Sequence, residues 1–337
     1  MPLMNGVEPK IEIFKPFGEA FELMKKILFQ PFDLKKWLVI GFAAFLTALS
    51  GGFGSSFNPS SRWSSSDQKA ITDSFHQLGS VRQMEWWIIA LIVIGALIIL
   101  ALVLALMWVG ARGRFIFTDC IVHNRAAIVT PWKEFRAEGN SFFLFSVLAL
   151  LVLITFAVVV LLGVSLPLII RGEGARPGTA LLITFCVFLF FIACLALGLA
   201  MVLQLMVPIM YRQRCLASRA FSQTVRLIAA HPGPVLLYML FFLVLLIAAT
   251  MISCAAACLT CCIAAIPYVG TVILLPVPVT LCTFSLLFLR QFGSEYDVWA
   301  GFMPPEFLPI LSPASPTPPP STTALNPPPE SPLPPAG

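Results

Sequence analysis

The densest set of potential soft ligands in the chain is Cys254, Cys258, Cys261 and Cys262, spaced C-x3-C-x2-C-C. Helical pitch brings these four close to one face, where thiolates could hold Cu(I) or zinc. The alternative is close helix packing, since cysteine is small and apolar and Ala255 to Ala257, Ala264 and Ala265 add further small residues. A metal centre needs tight ligand turns, and no histidine lies in this stretch, so packing is preferred and no metal or cofactor is expected. The three histidines, His76, His123 and His231, lie on different segments without metal spacing. Asp119 and His123 stand at i, i+4 and, with Arg125 and Glu134, make one polar cluster. A solvated or salt-bridged face is preferred there over a catalytic one, because such pairs are routine on helices. No Ser, His and Asp order can be drawn, and the chain is read as not an enzyme.

Basic residues are the other candidates. Arg112, Arg114 and Arg125 sit on one charged connector; Arg212, Arg214, Arg219 and Arg226 sit on another. They could receive anionic lipid headgroups or a partner. The same charges could equally do no more than set topology.

The elements that position these residues follow from composition. Of 337 residues, 58% are hydrophobic and only 11% charged, against about 25% charged in soluble domains. Several apolar runs exceed the roughly 20 residues that a spanning helix needs. Six spans are expected: Trp37 to about Gly54, Glu85 to about Gly110, Ser141 to Ile170, Ala180 to Tyr211, Val235 to about Ala265, and Thr271 to about Leu289. No cleavable signal peptide is visible, so the first span would serve as the insertion signal. Residues 57–84 are polar and Ser-rich and read as an exposed loop. Assigning connectors alternately to the two sides places 16 of the 21 Lys and Arg residues with the termini and five opposite. The positive-inside rule then makes both termini cytoplasmic.

A repeat emerges. AFELMKKI at 20–27 aligns with AFSQTVRL at 220–227, and a proline follows each, at Pro31 and Pro232. Upstream of the first span, Phe17, Ala20, Phe21, Met24 and Leu28 recur at helical spacing, widened by Leu23 and Ile27, with Glu19, Glu22, Lys25 and Lys26 largely opposite. That pattern suits a helix at the cytoplasmic interface; packing on another part of the protein is the alternative. The middle unit is weaker, with Thr130 as N-cap and Pro131 at the first helical position. The fold class is therefore all-α, a polytopic bundle of six spans in three hairpins, each preceded by a cytoplasmic interfacial helix. Its divisions are an N-terminal segment at 1–36, a transmembrane domain at 37–292 and a Pro-rich tail at 293–337.

The stretch GRFIFTDCIVHNRAAIVTPWKEFRAEGNSFFLF resembles a group of uncharacterised bacterial six-helix membrane proteins. They are similar in layout to the membrane domain attached to some glycerophosphodiester phosphodiesterases. The resemblance implies a helical bundle in the bacterial inner membrane. It carries over no catalytic residues.

Transport would leave traces, because ionisable residues inside a membrane are costly and usually functional. None lies well inside the six spans; Gln204 is the clearest polar exception, with Ser253. Pro276 and Pro278 should break or kink the sixth span, and Pro208 the fourth. Broken helices can mark transporter sites. From Met303 on, the tail holds 14 of the 28 prolines, which favours extended polyproline II that could dock a protein partner, although a plain disordered terminus is preferred. The preferred reading is a non-enzymatic scaffold or lipid-interacting accessory factor, with no nucleic-acid partner. The alternative is a transporter or channel. A polar cavity among the later spans would favour transport; arginines ringing a closed bundle would favour lipid or partner binding.

Overall fold

A computed structural model describes residues 12–49, 86–171, 177–260 and 266–300. His76, the 57–84 loop, Cys261, Cys262, most of the 171–179 connector and the chain from 301 lie outside these residues. The described residues are helical without strands: α1 (Phe14–Phe29), α2 (Leu34–Ala48), α3 (Trp86–Val122), α4 (Val129–Glu134), α5 (Arg136–Arg171), α6 (Pro177–Gln213), α7 (Ala217–Ala230), α8 (Pro232–Leu259), α9 (Pro267–Ile273) and α10 (Pro276–Arg290).

Four of them, α3, α5, α6 and α8, are long and apolar enough to cross a membrane. Their outer portions expose leucine, isoleucine and phenylalanine almost continuously, from Trp86 to Leu106 on α3 and from Leu144 to Leu162 on α5. In water such a surface would be untenable; against acyl chains it costs nothing. The protein is an all-helical membrane protein.

The regions expected to hold the first and last spans are built differently. Asp33 caps α2 by accepting the Lys35 N–H at 2.9 Å. The helix has 15 residues, about 22 Å at 1.5 Å per residue, short of the roughly 30 Å hydrocarbon thickness. It packs chiefly against α3 and α9. Close approach depends on glycine: a Cβ on Gly113 would stand 2.6 Å from Leu46 Cβ, and one on Gly41 would stand 2.8 Å from Val272. In the expected sixth span, α9 ends at Ile273 and α10 restarts with Pro276 in its first turn. The missing proline donors break the helix where the sequence placed the break. Pro208, by contrast, lies within a continuous α6.

One local expectation is corrected. Thr130 is not the cap of the middle short helix, because α4 begins at Val129 with Ile128 at N-cap and no side-chain cap bond. Beyond Gly110, α3 continues as the helical extension that the Asp119 and His123 spacing implies, ending at Val122, and Phe115, Ile116, Phe117, Cys120 and Ile121 bury their side chains in the protein.

The core concentrates where α3 ends, α5 begins, α6 ends and α8 begins, which we call the basic end. Tyr238 stacks on Phe288 at 4.2 Å between centroids and on Phe284 at 5.3 Å. α1 lies on α10, burying Ala20, Leu23, Met24, Ile27 and Leu28. Its apolar face is thus taken largely by protein, the alternative named above, while Phe14 and Phe21 stay exposed. Residues 293–300, placed with the tail by composition, form turns that bury Val298 and Trp299, and Arg290 pairs with Asp297 at 3.2 Å.

Candidate functional site

The basic end holds three polar groupings. At the end of α3, the Asp119 carboxylate is 1% exposed and accepts from Arg125 and Tyr211, with His123 beside it. Arg125 donates Nε and Nη2 to Oδ2 at 3.2 and 3.0 Å. Tyr211 OH donates to Oδ1 at 3.0 Å, and His123 Nδ1 lies 2.9 Å from the same oxygen. A buried carboxylate is tolerable only when its lone pairs are so engaged. Both oxygens are thus engaged by the protein's own side chains. The expected cluster of Asp119, His123 and Arg125 is therefore real, but it is a joint that pins α3 to the end of α6.

Glu134 belongs to a second grouping. Arg214 pairs with Glu134 and lies 3.7 Å from Glu138, and its guanidinium sits 3.8 Å above the Phe135 ring. Phe135 in turn stacks on Tyr211 at 4.8 Å, so the two groupings share one wall. The third is Arg112, held 4.2 Å from the Trp108 ring and 5.1 Å from that of Trp132, and donating from Nη2 to Asn140 Oδ1 at 2.8 Å. Trp108 Nε1 donates to the same oxygen at 3.0 Å.

A related tie sits at the α1–α2 junction. Lys36 Nζ donates to Ile27 O at 2.8 Å and to Asn124 Oδ1 at 2.6 Å.

The seven arginines singled out as headgroup contacts are thus of three kinds. Arg112, Arg125 and Arg214 are engaged with the protein's own acids, amides and rings. Arg219 and Arg226 are exposed on α7, beside exposed Phe221 and Val225, and Arg212 is half-buried at the end of α6. Arg114 lines a cavity among the helices.

That cavity, about 450 Å³, lies among α3, α5, α6 and α10, with Leu246 of α8 in its wall. It is of the size that holds small ligands. Its polar side chains are few. Thr118 and Ser146 donate back to their own helices, to Arg114 O and Phe142 O. Gln204 Nε2 donates to Ser285 Oγ at 3.2 Å, and Tyr238 lies 2.8 Å behind that hydroxyl. No Asp or Glu is among the lining residues. Gln204 stood out in the sequence as a polar residue inside an apolar run; its partner Ser285, 81 positions along the chain, did not. The same holds for Tyr211 and Asn140, whose roles depend on which helix ends meet.

The family of unknown function DUF7544 matches residues 12–298. The chain belongs to that family. The match covers α1 to α10 and the turns that bury Trp299 short of their last residues, so the described fold is the family's domain rather than an addition to it. No curated protein and no solved structure matches the chain.

Of the remaining candidates, Cys254 and Cys258 are exposed free thiols on α8, and His231 lies against Phe292 with 5.4 Å between ring centroids. Among the described residues no three His, Cys, Asp or Glu side chains are grouped as a metal site.

Proposed function

We propose that this DUF7544 protein is a non-enzymatic, lipid-interacting accessory factor of the bacterial inner membrane, with its basic end and both termini in the cytoplasm. In this reading the chain crosses the membrane six times in three hairpins, with α2 and the broken α9–α10 pair as the short first and last crossings. The layout similar to the membrane domain of some glycerophosphodiester phosphodiesterases belongs to the same proposal. The partners are anionic headgroups, and a protein docked on the Pro-rich tail; nucleic acid is not among them.

The observation that carries the reading is α7. Its sequence, ASRAFSQTVRLIAA, contains two arginines and no acid. Ala217, Ala220, Thr224 and Leu227 face the protein, while Phe221, Val225, Arg219 and Arg226 are exposed. Apolar side chains beside unopposed cations are what a headgroup layer receives. Transport stands as the second reading, supported by the cavity and by the break between α9 and α10.

The test is native mass spectrometry of the detergent-purified protein through stepwise delipidation. Each basic residue near an anionic surface contributes about 1 kcal/mol. Replacing Arg219 and Arg226 by Gln together should therefore weaken retention of phosphatidylglycerol or cardiolipin by roughly 30-fold. A bare protein indifferent to these changes overturns the reading and turns attention to transport assays.

A further inference from the structure

The cavity described above is graded along the bundle. α5 leads away from the basic end and contributes Phe142, Ser146, Leu150 and Leu153 in that order; α6 approaches it through Ala196, Leu197, Gln204 and Pro208. From Phe142 to Leu153 the wall extends about 16 Å at helical rise. Arg114, Thr118, Ser146, Gln204 and Ser285 all fall toward the basic end, whereas Leu150, Leu153, Ala196 and Leu197 line the far end. Arg114 is also fixed at the head of the cavity by its position over the Phe142 ring, 5.3 Å from the centroid. At the far end Leu150 and Leu197 line the cavity and are also 41% and 37% exposed. At that level α5 and α6 thus present apolar side chains both to the cavity and to the surroundings.

A cation at one end of an apolar slot, with no lining carboxylate, selects for negative charge joined to hydrocarbon. Water-soluble anions would gain the charge contact but leave the leucine-lined end without a partner, and a neutral alkane would do the reverse. We infer that this cavity binds a single acyl chain ending in an acidic head, with the head at Arg114 and Gln204 and the chain running between α5 and α6 past Leu150, Leu153 and Leu197. The ligand enters laterally from the membrane. This inference deepens the lipid-interacting reading and rests on it for the membrane setting, but it uses none of the exposed arginines of α7. The acid is either the carboxylate of a free fatty acid or the phosphate of an anionic phospholipid, one of whose chains fills the slot.

The experiment uses the full-length protein in phosphatidylcholine nanodiscs and palmitate carrying a diazirine at its methyl end. After irradiation, adducts mapped by peptide mass spectrometry should concentrate on the stretches containing Leu150, Leu153 and Leu197. R114Q should reduce that labelling about tenfold, the loss of one charge-assisted contact, and R114K should retain most of it. L153W, which fills the far end and leaves the charge alone, should reduce it to a similar degree, so the proposal stays testable should R114Q fail to fold. Hexadecanol should not compete. Competition by unlabelled palmitate but not by phosphatidylglycerol identifies the fatty acid, and competition by both identifies the phospholipid chain; either supports the site. Adducts spread over outward-facing residues such as Leu148 and Leu236, unchanged by R114Q and L153W, overturn it. Headgroup retention through Arg219 and Arg226 would survive that result. Conversely, loss of that retention effect with cavity labelling intact would overturn the α7 reading alone.

Discussion

α1 and α7 share a sequence signature and, in register, a burial pattern. Ala20 and Ala220 are both fully buried, Phe21 and Phe221 both exposed, and Ile27 and Leu227 both buried again. The two helices differ in what covers them and in what their open faces carry. α1 lies on α10, and its polar face mixes signs: Glu22 pairs with Lys25 at 2.9 Å, and Lys25 also covers Phe21 at 4.7 Å from the ring centroid. α7 rests chiefly on α6, with α5 and α8 beside it, and where α1 has Glu19 it has Arg219. One amphipathic period thus yields a self-neutralised strut in α1 and a wholly cationic surface in α7. Period decides which residues turn inward. It leaves the charge of the outward face free to vary.

The comparison can be broken first at the buried positions. Ile27→Ala should cost about 2–5 kcal/mol, the usual range for deleting a buried branched side chain. Leu227→Ala should fall lower in that range, because Leu227 retains 6% of its exposure and Ile27 none. Thermal unfolding in detergent measures both, and a larger loss at Leu227 would mean that α7, rather than α1, is the more tightly held helix.

Exchanging the divergent charges sharpens the contrast. Arg219→Glu should diminish anionic-lipid retention by about tenfold or more, since it removes one cation and adds one repulsive charge. Glu19→Arg should leave retention within about twofold, because α1 already neutralises itself. Equal effects at the two sites would make the lipid response a matter of net charge and not of the α7 surface.

The smallest effect is in pH. Burial pushes the Glu19 carboxyl up, with Lys15 and then Arg290 opposing it. A raised carboxyl favours the protonated form in the folded protein. Its contribution is therefore fully present below the unfolded value of about 4.3 and is lost as pH rises through the folded value. Glu19→Gln should accordingly match the parent protein near pH 4 and melt slightly higher at pH 7. A constant difference across that range would assign the effect to something other than ionisation.

Much of this was legible in residue order. Hydropathy alone identified the long helices, because a run of apolar residues leaves no other solvent for its surface. Pro276 marked the break before α10, whereas Pro208, equally without a donor, lies within a continuous α6. The 3.6-residue period found the apolar face of α1, most of which turns inward, and alignment with that helix pointed to α7. Asp119 and His123 were paired by helical spacing, and the His123 N–H, just past α3, still closes a helical turn on Asp119 O.

Other features required the chain to be assembled. The sequence treated Arg112 and Arg114 as two members of one basic connector; the structure places Arg112 between two tryptophans and Arg114 in the wall of a cavity. Nothing local separates them, because two residues apart on a helix means roughly opposite faces, and what each face meets depends on other helices. Tyr211 reaches Asp119 across 92 positions and Gln204 reaches Ser285 across 81. Sequence by itself determined that this protein is a helical membrane bundle with a charged end, through solvation and backbone geometry, which act residue by residue. Only the tertiary structure decided which arginines are consumed by internal partners, which face outward and which one lines a hollow, because those outcomes depend on distances between helix ends that no periodicity encodes.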